Sequence, residues 1–176
     1  MVFGLFRRRS DEAAASLYHQ VVGQARQPAF YTDFAVADTV EGRFELIVLH
    51  CGLLVARLGR DPSTRETGTQ LAETFFSDMD RTHREMGVSD VAVPKKMRKI
   101  ADAFYGRLTA YEAAAGSPAL VEAVGRNVYD GAPPPGAAEA LSSYLEATMA
   151  ALAAADAAAL RAGSIPWPEP RLFPRT

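Results

Sequence analysis

The sequence predicts an all-α protein: a single-domain bundle of about six helices with a long alanine-rich helix near its C-terminal end. Three observations carry this. Apolar residues recur at helical spacing, and Val40, Phe44, Ile47, Cys51, Leu54 and Leu58 form one continuous stripe at alternating steps of four and three. Glycine, proline, serine and threonine punctuate these stripes where helices start and stop. No strand pattern or convincing repeat interrupts them. At 176 residues the chain suits one domain, burying about two thirds of its unfolded surface.

The elements follow in order. Residues 1–9 form a basic and aromatic segment. Ser10 is positioned to cap a first helix, with Asp11 and Glu12 at its positive end and Leu17, Val21 and Ala25 on its inner face. Residues 29–37 read as a loop or short helical turn. Thr39 caps the central helix, which Leu46, Val48, Leu49, Leu53 and Val55 make apolar almost all round; Gly59 and Pro62 end it. A third helix starts near Ser63 or Thr64, places Leu71, Phe75, Met79 and Met86 on one face and closes at Gly87. Pro94 suits the first turn of a fourth, whose stripe is Met97, Ala101, Phe104, Leu108 and Tyr111. Gly116 closes it, and Ser117-Pro118 opens a fifth, which stops before Gly131. Residues 10–131 thus form the helical core.

Residues 132–162 begin with the stiff linker Pro133-Pro134-Pro135-Gly136 and continue as one alanine-rich helix from Ala137 to Ala162. Alanine buries little area, so this helix is expected to be added onto the bundle rather than central to it. Residues 163–176 are a proline-rich tail, extended through Ile165-Pro166-Trp167-Pro168-Glu169-Pro170.

Composition narrows the function. A net charge of −2 argues against general nucleic-acid binding. The single cysteine, Cys51, sits in the most apolar helix and reads as a core residue of a protein in a reducing compartment. The N-terminal segment is not a signal peptide, because its charges follow its apolar residues. The longest apolar stretch is too short to span a bilayer. A cytoplasmic protein is expected. Phe3, Phe6, Arg7, Arg8 and Arg9 are candidates for touching an anionic membrane surface; a frayed terminus is the alternative.

Chemistry is not evident. His19, His50 and His83 lie on three different helices without metal-ligand spacing. His50 reads as a hydrogen-bonded core residue. Asp78, Asp80 and Glu85 superficially resemble the acidic helices of all-α, magnesium-dependent prenyl-transferring enzymes, but no second acidic cluster faces them. Pairs at a spacing of four, Asp80 with Arg84 and Arg81 with Glu85, suggest a salt-bridged surface instead. No catalytic residue, metal or cofactor is assigned.

Three features point to binding. Lys95, Lys96, Arg98 and Lys99 crowd the first turns of a helix, where the dipole disfavours cations. Either they meet anionic lipid, ribosomal RNA or an acidic client, or Asp78, Asp80, Glu85 and Asp90 balance them across the hairpin. Met79, Met86 and Met97 flank the same hairpin; methionine suits an adaptable surface, but at helical spacing the core is the default reading. Gly106 sits inside a helix, which costs about 1 kcal/mol relative to alanine, so a neighbouring helix or a client is expected to approach it closely.

Three segments carry a resemblance. They are Asp38-Thr39-Val40-Glu41-Gly42-Arg43-Phe44-Glu45-Leu46-Ile47-Val48-Leu49-His50; Phe76-Ser77-Asp78-Met79-Asp80-Arg81 through Arg84-Glu85-Met86-Gly87-Val88; and Lys96-Met97-Arg98-Lys99 with Ala103-Phe104-Tyr105-Gly106-Arg107-Leu108. In this order, across roughly Leu17 to Tyr129, they resemble the ubiquinol–cytochrome c chaperone family. The resemblance implies an all-helical, non-enzymatic assembly factor for the cytochrome bc1 complex. Mitochondrial members bind newly made cytochrome b near the ribosome, before haem insertion and assembly are complete, and work with a small partner protein. Without a long targeting extension, this chain resembles a bacterial member. The alanine-rich helix and the tail fall outside the family pattern.

The expected client is therefore apo-cytochrome b, met at the cytoplasmic face of the inner membrane, with the ribosome and the anionic membrane surface as further partners. Candidate contacts are Phe76, Met79, Arg84, Met86, Lys95, Lys96, Tyr105 and Arg107. The alternatives are the magnesium-dependent enzyme and a membrane-surface adaptor that holds no client.

Overall fold

A computed structural model describes the backbone of residues 2–175 and the side chains of residues 12–175. It contains α1 (Val2–Ala25), α2 (Ala29–Thr32), α3 (Val40–Arg60), α4 (Arg65–Glu85), α5 (Val93–Ala114), α6 (Ala119–Val128), α7 (Ala137–Ala154) and α8 (Ala157–Arg161), then a 3-10 turn, Pro170–Leu172. Among the described residues there is no strand. Six of the helices have ten residues or more. Ser10 lies inside α1 rather than capping it. The side chains of Phe3, Phe6, Arg7, Arg8 and Arg9 lie outside the described residues.

The central helix is α3. Its N-terminus is capped as expected: Thr39 Oγ1 accepts a hydrogen bond from the Gly42 amide at 3.1 Å. Leu46, Leu49, Cys51, Leu54 and Leu58 are essentially inaccessible. It is packed against α1, α4, α5, α6 and α7, and α6 also packs against both α5 and α7. The α3–α4 turn differs in detail from expectation. Gly59 stays helical, and the chain turns at Asp61, whose carboxylate accepts from the Ser63 amide at 2.8 Å. Thr64 caps nothing with its side chain; its buried hydroxyl donates to the Leu58 carbonyl at 2.7 Å.

One glycine on α3 is demanded by packing. A Cβ at Gly42 would lie 2.0 Å from the Ala37 carbonyl oxygen. This lets the loop after α2 fold tightly against the start of α3. Gly87 and Gly116 end their helices with φ of +79° and +74°, as the sequence predicts.

The alanine-rich segment departs most from expectation. It is two helices, α7 and α8, separated at Ala155, and Asp156 caps the second by accepting from the Ala159 amide at 2.9 Å. Arg57 of α3 fixes the break. Its Nε donates to the Leu152 carbonyl and its second terminal nitrogen to that of Ala155, both at 2.8 Å. Nor is α7 peripheral: Leu141, Tyr144, Leu145 and Leu152 lie in the main core. Small side chains at Ala137, Ala138 and Ala140 are buried too, so the alanines bring the α7 backbone close to its neighbours.

Tyr144 closes a buried chain of hydrogen bonds. His50 Nδ1 lies 2.7 Å from the Leu46 carbonyl, which can only accept, so Nδ1 carries the proton. Nε2 then accepts from the Tyr144 hydroxyl at 2.9 Å, and Gln24 Nε2 donates to that hydroxyl at 3.0 Å. His50 is the hydrogen-bonded core residue that the sequence suggests. Cys51 is likewise a core residue, and burial pushes its thiol above the ordinary range.

Candidate functional site

Two adjacent aromatic pairs, Phe75-Phe76 on α4 and Phe104-Tyr105 on α5, run from the core to the surface. Successive helical residues point about 100° apart, so the first of each pair turns inward and the second outward. Phe75 and Phe104 meet in the core with ring centroids 4.9 Å apart. Phe76 packs edge-on to Phe104 at 5.5 Å and faces Tyr105 at 6.1 Å. Tyr105 is 51% exposed. Phe76 and Tyr105 wall an open groove of about 320 Å³, whose floor includes Val55, Gly68 and Ala72. Gly68 also brings α4 against α3, with Leu58 Cβ 3.0 Å from where a Cβ would stand.

A basic surface lies at the N-terminal end of α5, the helix that carries Tyr105. Lys95, Lys96, Arg98 and Lys99 are all exposed. The carboxylates of the hairpin are already engaged: Arg84 pairs with Asp80 at 2.7 Å and with Asp90, and Arg81 pairs with Asp78 and, at 3.9 Å, with Glu85. No ion pair links the four α5 cations to them among the described residues. Arg98 and Tyr105 lie about 10 Å apart along the helix. Met86 and Val91, 55% and 92% exposed, stand at the α4–α5 connection.

Not every candidate contact is at this surface. Phe76 is half-buried at the groove wall, and Arg84 is exposed but held by two carboxylates. Met79 is 8% exposed and belongs to the core. Arg107 binds Glu45 of α3 through two hydrogen bonds, Nε to Oε2 at 2.5 Å and a terminal nitrogen to Oε1 at 2.6 Å. It therefore fastens α5 to α3, where a free contact residue was expected. Burial raises the Glu45 pKa, and Arg107 opposes that shift. A carboxylate set beside the apolar run of α3 was the signal for this pair.

Gly106 also departs from expectation. Nothing lies within 4 Å of a Cβ placed there, so no neighbouring helix approaches it. The carboxylates of the acidic face are engaged by neighbouring side chains. Asp78 accepts from the Tyr18 hydroxyl at 2.8 Å and pairs with Arg81, while Asp80 is held by Arg84. Among the described residues, no group of three or more histidine, cysteine, aspartate or glutamate side chains is placed to hold a metal. No helix among them is long and apolar enough to cross a membrane.

The model of the ubiquinol-cytochrome C chaperone family matches residues 32–167. The chain belongs to that family. The chaperone is also similar to the crystal structure of the Cbp3 homolog from Brucella abortus, with 34% identity and a TM-score of 0.86 over 98% of this chain and 99% of that one. No curated protein matches it. Both matches include α7, so this helix belongs to the family fold instead of lying outside it. The family match reaches Trp167 in the tail. Much of the motif sequence in this chaperone builds the fold: Thr39 caps α3, Gly42 packs on Ala37, Glu45 binds Arg107, and His50 bonds to Tyr144.

Proposed function

We propose that this chaperone serves assembly of the cytochrome bc1 complex by holding newly synthesised apo-cytochrome b at the cytoplasmic face of the inner membrane. The Phe76–Tyr105 groove grips the client, and the basic start of α5 steers the complex. The observation that supports the reading is an aromatic-walled groove on a helix, α5, that also carries four exposed cations with no ion pair among the described residues, in a member of this family. An unfinished membrane protein exposes apolar helix faces, and burying one against Phe76, Tyr105 and Val55 is favourable. Lys95, Lys96, Arg98 and Lys99 attract the anionic membrane surface near which such a client emerges. No bond is made or broken in this role. The ribosome and a small partner protein are further partners implied by the family resemblance.

Deletion of the gene in a host that makes a bc1 complex tests the role. The expected result is loss of spectroscopic cytochrome b and of bc1 activity; normal levels of both would refute it. A photocrosslinking residue at position 105 or 76 tests the grip. Adducts with nascent cytochrome b are expected there, while the same label at exposed Glu122 on α6 should give none. Equal crosslinking from all three positions would remove the groove from the proposal.

A further inference from the structure

The tail crosses a slot floored by aromatic rings. Phe30 lies 5.2 Å from His50 and 5.1 Å from Tyr144, and Phe34 lies 6.1 Å from Tyr144. Onto this floor the tail sets two rings: Trp167 edge-on to His50 at 5.3 Å, and Phe173 edge-on to Tyr144 at 5.7 Å. Pro170, between them, is buried, and Ile165 packs against the core. The contact is almost wholly apolar. Among the described residues a single hydrogen bond joins residues 165–175 to the helices, from Gln24 Nε2 to the Pro168 carbonyl at 3.4 Å. Prolines 166, 168, 170 and 174 have no amide proton to donate. The buried Trp167 indole N–H has no acceptor among the described residues.

The hydrogen bonds that join the floor's own side chains, by contrast, do not involve the tail. The Gln24–Tyr144–His50–Leu46 hydrogen bonds all lie within the helices, and the rings of Phe30, Phe34 and Tyr144 pack on one another. Gly163, at φ +90°, turns the chain just before the tail begins. A segment held by ring contacts and one long hydrogen bond, over a floor that satisfies itself, has the features of a bound ligand more than of a core element.

We propose that residues 165–175, beyond the Ser164 amide that still donates to the Ala159 carbonyl of α8, are a built-in, displaceable ligand: the Phe30–His50–Tyr144 slot is a binding site for an extended, proline-rich segment anchored by two aromatic side chains, and the chain's own tail keeps it filled. The inference goes beyond the client-holding role and does not depend on it. Tethering gives the tail an effective concentration on the order of millimolar, so a free peptide of the same sequence should scarcely enter the intact protein.

The test uses the full chain with a protease recognition sequence inserted between Ser164 and Ile165 and cut after folding. Trp167, the chain's sole tryptophan, reports the position of the tail. A fluorescein-labelled peptide of residues 165–176 should exchange into the nicked protein while the helical circular dichroism stays constant. The intact chain should bind it about tenfold more weakly or worse, because its slot is occupied. A peptide carrying Trp167→Ala should lose about tenfold in affinity for the nicked protein. Helical signal that disappears as the tail leaves would make the tail integral core and overturn the proposal. So would failure to exchange, or equal binding by intact and nicked protein. Should the insertion prevent folding, Phe173→Ala in the otherwise unaltered chain provides a second reading. A red-shifted, more readily quenched Trp167 with unchanged helical signal is expected, and an unmoved Trp167 spectrum would overturn the proposal.

Discussion

Arg107 and Glu45, 62 residues apart in sequence, form a bidentate ion pair between α5 and α3 in which both side chains are largely shielded from water. Removing one partner strands the other charge. Arg107→Ala should cost about 3 kcal/mol, read as the shift in urea midpoint, whereas replacing both residues by apolar ones of similar volume should cost much less. The sign of the pH effect follows from the raised Glu45 pKa. A carboxyl whose pKa is higher folded than unfolded contributes stability below the ordinary value of 4.5 and loses it as pH rises through the folded value. Without Arg107 that shift grows. The gap between wild type and Arg107→Ala should therefore be smallest below pH 4.5 and widen toward neutrality.

His50 predicts the opposite slope. Burial holds its pKa down at about 4, against an ordinary 6.5, and its Nε2 accepts the Tyr144 proton. The stability from a depressed histidine is present above pH 6.5 and is lost as pH falls toward 4, a total on the order of 3 kcal/mol. Urea titrations from pH 7 to pH 4 should show this loss, and His50→Gln should flatten it. Tyr144→Phe, which leaves Gln24 and His50 without their shared partner, should cost about 1–3 kcal/mol at neutral pH.

Two glycines should respond oppositely to alanine. At Gly42 the added methyl would meet the Ala37 carbonyl at 2.0 Å, so Gly42→Ala should destabilise by about 3 kcal/mol or more. At Gly106 the methyl would meet nothing within 4 Å, so Gly106→Ala should stabilise by about 1 kcal/mol. Thermal melts of the two variants check both signs.

The basic start of α5 separates binding from folding. Replacing Lys95, Lys96, Arg98 and Lys99 by glutamate breaks no ion pair among the described residues. It should stabilise the helix N-terminus by about 0.3–1 kcal/mol per residue in the first turn. Binding to vesicles rich in anionic lipid should fall steeply in the same variant. Unchanged binding with the fold intact would remove the anionic membrane surface from the proposed partners of this cluster.

The helices themselves were legible because the signals for them are local. Thr39 caps α3, Pro94 stands in the first turn of α5, and Gly87 and Gly116 take positive φ where helices end. Asp156 was an equally local signal, obscured by alanines on both sides. Phe76 and Tyr105 were legible as candidates, but their meeting in one groove was not, because it depends on how α4 crosses α5.

What the sequence by itself determined is most of the points where helices begin and end, the start of α1 and the α7–α8 break excepted, and which stripe of each is apolar, since capping and periodicity act within a few residues. Which of those stripes is covered was decided by tertiary structure. Met79 went inward, Arg107 was taken up by Glu45, and the alanine-rich helix became central when Tyr144 met His50, 94 residues away in sequence. Periodicity marks a face but not its neighbour, and burial is a property of the pair.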